Sequence, residues 1–230
     1  MGDGFDPDRP TFDADADAAP ERARMVETQL RARHIADERV LAAIGTVPRE
    51  AFIAAHRRRS AYADDALPIE AGQTISQPYI VARMTELLRV GPGDRVLEVG
   101  TGSGYQAAVL AELGCRVVTV ERHGELALGA RERLERLGYG DRVDVRVGDG
   151  SVGVADGAPW RGILVAAAAP AVPAALRVQL DPDRGRLVAP VGDRDRQELI
   201  VVERRGDTWT ETGDGAVVFV PLIGAEGFPS

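Results

Sequence analysis

The chain has 230 residues, enough to bury about 70% of its extended surface within one full-sized domain. With 44% hydrophobic and 28% charged residues, the composition excludes a wholly disordered chain, a collagen-like repeat and a disulfide scaffold. The net charge is −8 and every basic residue is an arginine, so the basic footprint that a phosphate backbone needs is missing and no nucleic-acid partner is expected.

The first twenty residues hold Asp3, Asp6, Asp8, Asp13, Asp15 and Asp17 with Pro7, Pro10 and Pro20. That composition is too polar to offset its ordering entropy, and residues 1–20 are expected to be a disordered acidic tail. The start carries no cationic segment followed by an apolar one, and no stretch reaches the length of a membrane span. A cytoplasmic protein with no membrane partner is therefore expected. From Glu21 onward, Met25, Val26, Leu30 and Ile35 fall near helical spacing, and Val40, Leu41 and Ile44 continue after a break at Asp37. Val47-Pro48-Arg49-Glu50 opens a third short helix, since proline is tolerated in a first turn and glutamate suits the positive end of the dipole. The arginines at 57 to 59 read as a solvated helix face.

A helix is predicted from Pro78 to about Arg89, a buried strand over Arg95–Gly100, and a helix over Tyr105–Leu113. Strands and helices then alternate: Arg116–Glu121, Glu125–Leu137, Arg142–Val147, Gly162–Ala167, Pro173–Leu180 and Gly185–Val191. Such alternation builds a parallel sheet with ligands at the carboxyl ends of its strands. Leu199–Glu203, Thr208–Thr212 and Ala216–Val220 are short runs separated by Arg205-Gly-Asp and Gly213-Asp-Gly, which predicts antiparallel strands at one sheet edge. Cys115 is the lone cysteine and reads as a buried, inert thiol. His34, His56 and His123 are scattered without metal-ligand spacing, so no metal and no histidine chemistry are expected.

The sharpest motif is Val96-Leu-Glu-Val-Gly-Thr-Gly-Ser-Gly-Tyr105. Its glycines stand at 100, 102 and 104, whereas a dinucleotide fingerprint places the third one residue later, at Tyr105. The tighter E-x-G-x-G-x-G turn, with Glu98 at its head, matches the pattern of S-adenosylmethionine-dependent methyltransferases. Glu121 ends the next strand, where a doubly wound fold places the carboxylate that accepts both ribose hydroxyls. Asp149, in Gly148-Asp-Gly150, follows the third strand, where an adenine amino group could be read. Taken singly, Glu121 would also fit a surface acid and Gly148–Gly150 a plain turn; three strand ends in order favour the cofactor.

Several further segments resemble the protein-L-isoaspartate O-methyltransferase family: VPRE (47–50), ALPIEAGQTISQPYIVARM (66–84), VERH (120–123), GDG (148–150), RLVAPVG (186–192) and FVPLIG (219–224). The resemblance implies an α/β, doubly wound, Rossmann-like class I methyltransferase fold, with a mostly parallel sheet, antiparallel C-terminal strands and N-terminal helices. It implies one domain over residues 21–230, comprising an N-terminal helical and acceptor-site segment (21–90), a cofactor-binding core (91–192) and the C-terminal strands (193–230). It also implies methyl transfer from S-adenosylmethionine to the free α-carboxylate of isoaspartyl residues in damaged proteins and peptides, by a monomer. Within the T-I-S-x-P motif the family's catalytic serine falls on Ser76, with Thr74, Ile75 and Gln77 at the acceptor. Glu98, Gly100, Thr101, Gly102, Ser103, Gly104, Glu121, Arg122, Asp149 and Gly150 fall to the cofactor. Read without the resemblance, Ser76 would also serve as a helix cap before Pro78. The chain departs from the family at Arg161, where an aspartate is usual after Trp160, and at Ser151, where tryptophan or arginine is common. A related enzyme that esterifies one aspartate of a ribosomal peptide, to form an aspartimide, is the alternative.

Overall fold

Residues 18–229 are described, in a computed structural model. The acidic-tail expectation falls mostly on residues 1–17, outside them. Helix α1 (Ala18–Met25) begins three residues inside the expected tail and continues through a π turn (Val26–Leu30) and a 3₁₀ turn (Arg31–Arg33). Met25 and Leu30 are five residues apart and both buried; the wider π turn brings that spacing onto one face. In α2 (Glu38–Thr46) the expected break at Asp37 is an N-cap, its carboxylate accepting from the Arg39 N–H at 2.9 Å. The proline-led helix is a 3₁₀ turn, Arg49–Phe52, and Arg57, Arg58 and Arg59 are exposed on another, Ala55–Ser60. A two-stranded hairpin, β1 (Leu67–Pro68) with β2 (Thr74–Ile75), was not expected from the residue pattern.

The main layer follows: α3 (Pro78–Leu88), β3 (Arg95–Val99), α4 (Tyr105–Glu112), β4 (Arg116–Glu121), α5 (Gly124–Arg136), β5 (Val143–Val147), β6 (Gly162–Val165), α6 (Ala174–Val178), β7 (Arg186–Gly192), β8 (Gln197–Arg205) and β9 (Thr208–Val217). The sheet order is β5-β4-β3-β6-β7-β8-β9, parallel through β7 and antiparallel from β7 to β9. The chain moves outward from β3 to β5 and then crosses to β6, so the switch point lies at the carboxyl end of β3. Helices cover both faces, which is why strands such as Gly162–Val165 read as continuous apolar runs. Leu97, Val99, Ile163 and Val165 pack on Trp160, Leu176 and Leu180, while Val96 and Leu164 face the cluster of Ile44, Met84, Leu88 and Leu110.

The last two expected strands are one. β9 runs through Gly213-Asp214-Gly215 as a ten-residue strand with an irregularity opposite Glu198 and Ile200. Glycine at a bulge gives the same local pattern as glycine at a turn. Pairing with β8 on both sides, Ile200 with Gly213 and Glu198 with Ala216, makes this a bulge, and Arg83 of α3 grips the Asp214 carboxylate there with Nε at 2.8 Å. No helix of the described residues is long and apolar enough to cross a membrane.

Candidate active site

A cavity of about 360 Å³ opens at the carboxyl ends of β3 and β4. Gly100, Gly102 and Gly104 all have positive φ, and Gly104, at 89°, turns the chain into α4 where a Cβ would press on Leu134 and Ala130 of α5. The turn thus fits against α5 only without a side chain at that position. Its other face lines the cavity.

Glu98 is wholly buried and neither carboxylate oxygen has a hydrogen-bond partner among the described residues. Burial pushes its carboxyl up to about 8; the Thr119 hydroxyl tempers this without reaching hydrogen-bond geometry, and the nearby Glu121 charge adds to the rise. Glu121 is held differently. One oxygen accepts from the Gly102 N–H at 2.9 Å and the other from the His123 N–H at 3.0 Å, which fixes the carboxylate while leaving further lone pairs on both oxygens.

Of the residues singled out for the cofactor, Glu98, Gly100, Thr101, Gly102, Ser103, Glu121, Arg122 and Gly150 line this cavity. Thr101 spends its hydroxyl on Thr119 at 2.6 Å, and Ser103 accepts from the Tyr105 N–H at 3.3 Å, so both contribute chiefly backbone and surface. Gly104 lies behind the wall. Asp149 also stands outside it: Oδ1 accepts from the Ser151 N–H and hydroxyl at 2.9 and 2.7 Å, and Oδ2 from the Ala225 N–H at 2.7 Å. Burial works to raise its pKa, but these donors, with the Arg122 charge, prevail and hold it below the usual carboxylate value. Asp149 therefore fastens the C-terminal segment, whose residues Val220, Pro221, Leu222 and Ile223 form a cavity wall. The FVPLIG run was visible in the sequence, but no local pattern tied it to this wall.

An adjoining groove of about 730 Å³ lies between the segment after Tyr62 and the C-terminal strands. It shares Thr74, Ser76, Ala166 and Val220 with the first cavity. Helix α3 has Gln77 as its N-cap residue, with no side-chain capping bond, so Ser76 is not its cap. The Ser76 hydroxyl makes no hydrogen bond to the described residues. Ile75 is buried under the first cavity, whereas Gln77 faces the groove alone and donates to the Asp64 carbonyl at 2.9 Å. Among the described residues no cluster of His, Cys, Asp or Glu could hold a metal.

The profile of the protein-L-isoaspartate(D-aspartate) O-methyltransferase family matches residues 21–227. The chain belongs to this family. A protein-L-isoaspartate O-methyltransferase of Koribacter versatilis is 55% identical over 210 residues, covering 91% of this chain and 94% of that protein. Its counterpart from Methanoregula boonei is 54% identical, covering 90% and 95%. A solved protein-L-isoaspartate O-methyltransferase superposes with a TM-score of 0.81 at 28% identity, covering 90% of this chain and 67% of that one. A Plasmodium falciparum protein solved with S-adenosyl-L-homocysteine shares the fold at a TM-score of 0.74 and 23% identity, over 88% of this chain and 98% of that one.

Both departures from this isoaspartate methyltransferase family have a local account. Ser151 is buried, and its hydroxyl also accepts from the Glu226 N–H at 3.0 Å, so it completes the Asp149 fastening. Arg161 reaches away from the cavity to the carbonyls of Arg89 and Arg184, both at 2.7 Å. It stitches the amino ends of the strands and leaves the carboxyl ends untouched.

Proposed function

We infer that this chain transfers the methyl group of S-adenosylmethionine to the free α-carboxylate of L-isoaspartyl residues, opening a route through succinimide back to aspartate. The observation that carries the reading is the meeting of two adjoining cavities at Thr74 and Ser76. One has the carboxylates and glycine turn suited to a cationic nucleoside; the other, lined by Asp64, Gln77, Tyr79 and Phe219, offers a separate surface to the acceptor. Their shared wall is where donor and acceptor would touch.

The residues present fit the cofactor. Glu121, fixed by two backbone donors, has lone pairs left for two ribose hydroxyls, and the orphaned Glu98 carboxylate suits the α-ammonium group. Gly100, Gly102 and Gly150 let the backbone come close. When bound, S-adenosylmethionine supplies a methyl carbon activated by the neighbouring sulfonium.

The rest is positioning. A carboxylate is ionised at neutral pH and is already a nucleophile, so no general base is needed. The Ser76 hydroxyl, unspent among the described residues, donates to one acceptor oxygen, and Thr74 donates beside it, aiming the acceptor along the line of transfer. The apolar side chains of Val220, Pro221 and Leu222 flank that line, with Leu222 buried beneath it. The aspartimide-forming alternative is not favoured, since the relatives matched over nearly their full length carry the repair enzyme's name.

The test is transfer of labelled methyl from S-adenosylmethionine to an isoaspartyl peptide, with its aspartyl twin as control. Label on the first and not on the second is expected. Equal labelling, or none, would overturn the reading.

A further inference from the structure

The VPRE segment lines neither the cavity nor the groove, yet it holds one of the largest wholly buried side chains. Arg49 is 0% exposed. Its Nε donates to the Ala61 carbonyl and its Nη2 to the carbonyl of Ser76, both at 2.8 Å. The guanidinium sits 4.9 Å from the centre of the Tyr105 ring, which Phe52 meets edge-on at 5.4 Å. Tyr105 begins α4 directly after the glycine turn and lines the cofactor cavity. One side chain thus touches both the loop that presents Ser76 and the helix that follows the cofactor turn.

Among the described residues the charge on this side chain has no opposite number. Among the described residues Arg49 forms no ion pair; the adjacent Glu50 is taken by Arg22 at 3.6 Å and by the Tyr62 hydroxyl. Nη1 of Arg49 and the Tyr105 hydroxyl, both buried, approach one another without reaching hydrogen-bond geometry, and neither has another partner among the described residues. Burial pushes Arg49 down to about 10, opposed by Tyr105 and Tyr62, so it stays charged at neutral pH. A buried cation without its anion is costly unless something complements it. Two carbonyl dipoles and a ring face supply part of that complement, and the remainder points to an anion brought from outside.

We propose that Arg49 is a positioning residue for the acceptor: it fixes the Ser76 loop through the Ser76 carbonyl, and its uncompensated positive charge, set behind Ser76 and Tyr105, selects an acceptor that carries a carboxylate. This rests on the proposed function, which puts the acceptor at Ser76. Hydroxyl donors alone distinguish a carboxylate from a carboxamide poorly, because both offer a carbonyl-type oxygen. A cation behind the donors adds a preference for charge, and one charge acting across the cavity wall at an effective dielectric of about 20 gives roughly a tenfold discrimination.

The experiment compares an isoaspartyl peptide with the same peptide bearing a neutral α-carboxamide, which can bind but cannot be methylated. The KM of the first and the inhibition constant of the second are measured for the parent, Arg49→Met and Arg49→Lys, with S-adenosylhomocysteine affinity measured alongside. The parent should favour the carboxylate at least tenfold. Arg49→Met should bring that ratio near one with homocysteine-product affinity within about twofold of the parent. Arg49→Lys keeps the charge but cannot reach both carbonyls, so the ratio should survive while kcat falls. If Arg49→Met does not fold, Arg49→Gln, which still donates to one carbonyl, carries the same comparison. A parent ratio near one overturns the proposal without any variant, and so does an Arg49→Met or Arg49→Gln protein that weakens both peptides equally. A parent that methylates no isoaspartyl peptide overturns the proposed function, and this inference with it.

Discussion

Replacing Glu98 with glutamine should change the stability of the ligand-free protein in a way that turns steadily more favourable as pH rises. The Glu98 carboxyl, ordinarily at 4.5, is raised to about 8, so between those values the folded chain holds a proton that the unfolded chain has lost. Stability then falls as pH rises through the window: the penalty is absent below 4.5, reaches about 3 kcal/mol at pH 7, and levels near 5 kcal/mol above 8. Glutamine cannot ionise and escapes this penalty. It brings its own cost of about 1–3 kcal/mol for buried amide hydrogens without partners, but that cost does not vary with pH. The diagnostic is therefore the slope. Melting curves of parent and Glu98→Gln at pH 5, 6, 7 and 8 should diverge by about 2–4 °C for each kcal/mol, for a chain of this size. The same group makes a second signal. An ammonium group bound beside Glu98 favours its ionised form, so S-adenosylhomocysteine binding at pH 7 should release a proton, read as a buffer-dependent heat in calorimetry. Glu98→Gln should abolish that release. A melting difference that stays flat from pH 5 to 8, with no proton released, would refute the reasoning by showing that Glu98 is ionised in the free protein.

Ser76→Ala should lower kcat by roughly 10²-fold while leaving S-adenosylhomocysteine affinity within about twofold, since mispositioning of an acceptor costs turnover first; unchanged turnover in steady-state assays would remove its role. Its melting temperature should hardly move, because the hydroxyl bonds to no described residue. Glu121→Ala should weaken the cofactor by about 1.5–3 kcal/mol in calorimetry, the usual value of hydrogen bonds to a charged group. Gly224→Ala would place a Cβ 2.1 Å from Asp149 Oδ1 and 2.5 Å from the Ser151 hydroxyl. It should release the C-terminal wall, seen as faster amide exchange at Ala225 and Glu226 and weaker cofactor binding; unaltered exchange would refute the fastening.

Which parts of this molecule could be read from its residues follows from how far each signal travels along the chain. The parallel core was legible because strands covered on both faces are apolar without interruption, and the glycine turn because its conformation is dictated within five residues. Glu98 stood out for the same reason, as one acid inside a buried strand, although its lack of partners became visible only when β4 and β6 were placed on either side of it. Gly213-Asp214-Gly215 misled because a bulge and a turn need the same residues, and only the pairing with β8 on both sides separates them. Asp149 is the most instructive case. Chain order places a carboxylate at the end of the third strand, and that much was correct, but order does not say which way a carboxylate faces. Its direction is set by Ser151 and by the Ala225 N–H, and Ser151 is one of the two positions where the resemblance predicts another residue. A serine there is short enough to sit buried between Asp149 and Glu226, and the three groups together draw the C-terminal segment against the cavity. If that is the reason for the serine, then Ser151→Arg should loosen the segment more than it changes the chemistry: a larger loss in cofactor affinity than in kcat at saturation. A loss confined to kcat, with cofactor affinity unchanged, would refute the fastening as the reason for the serine.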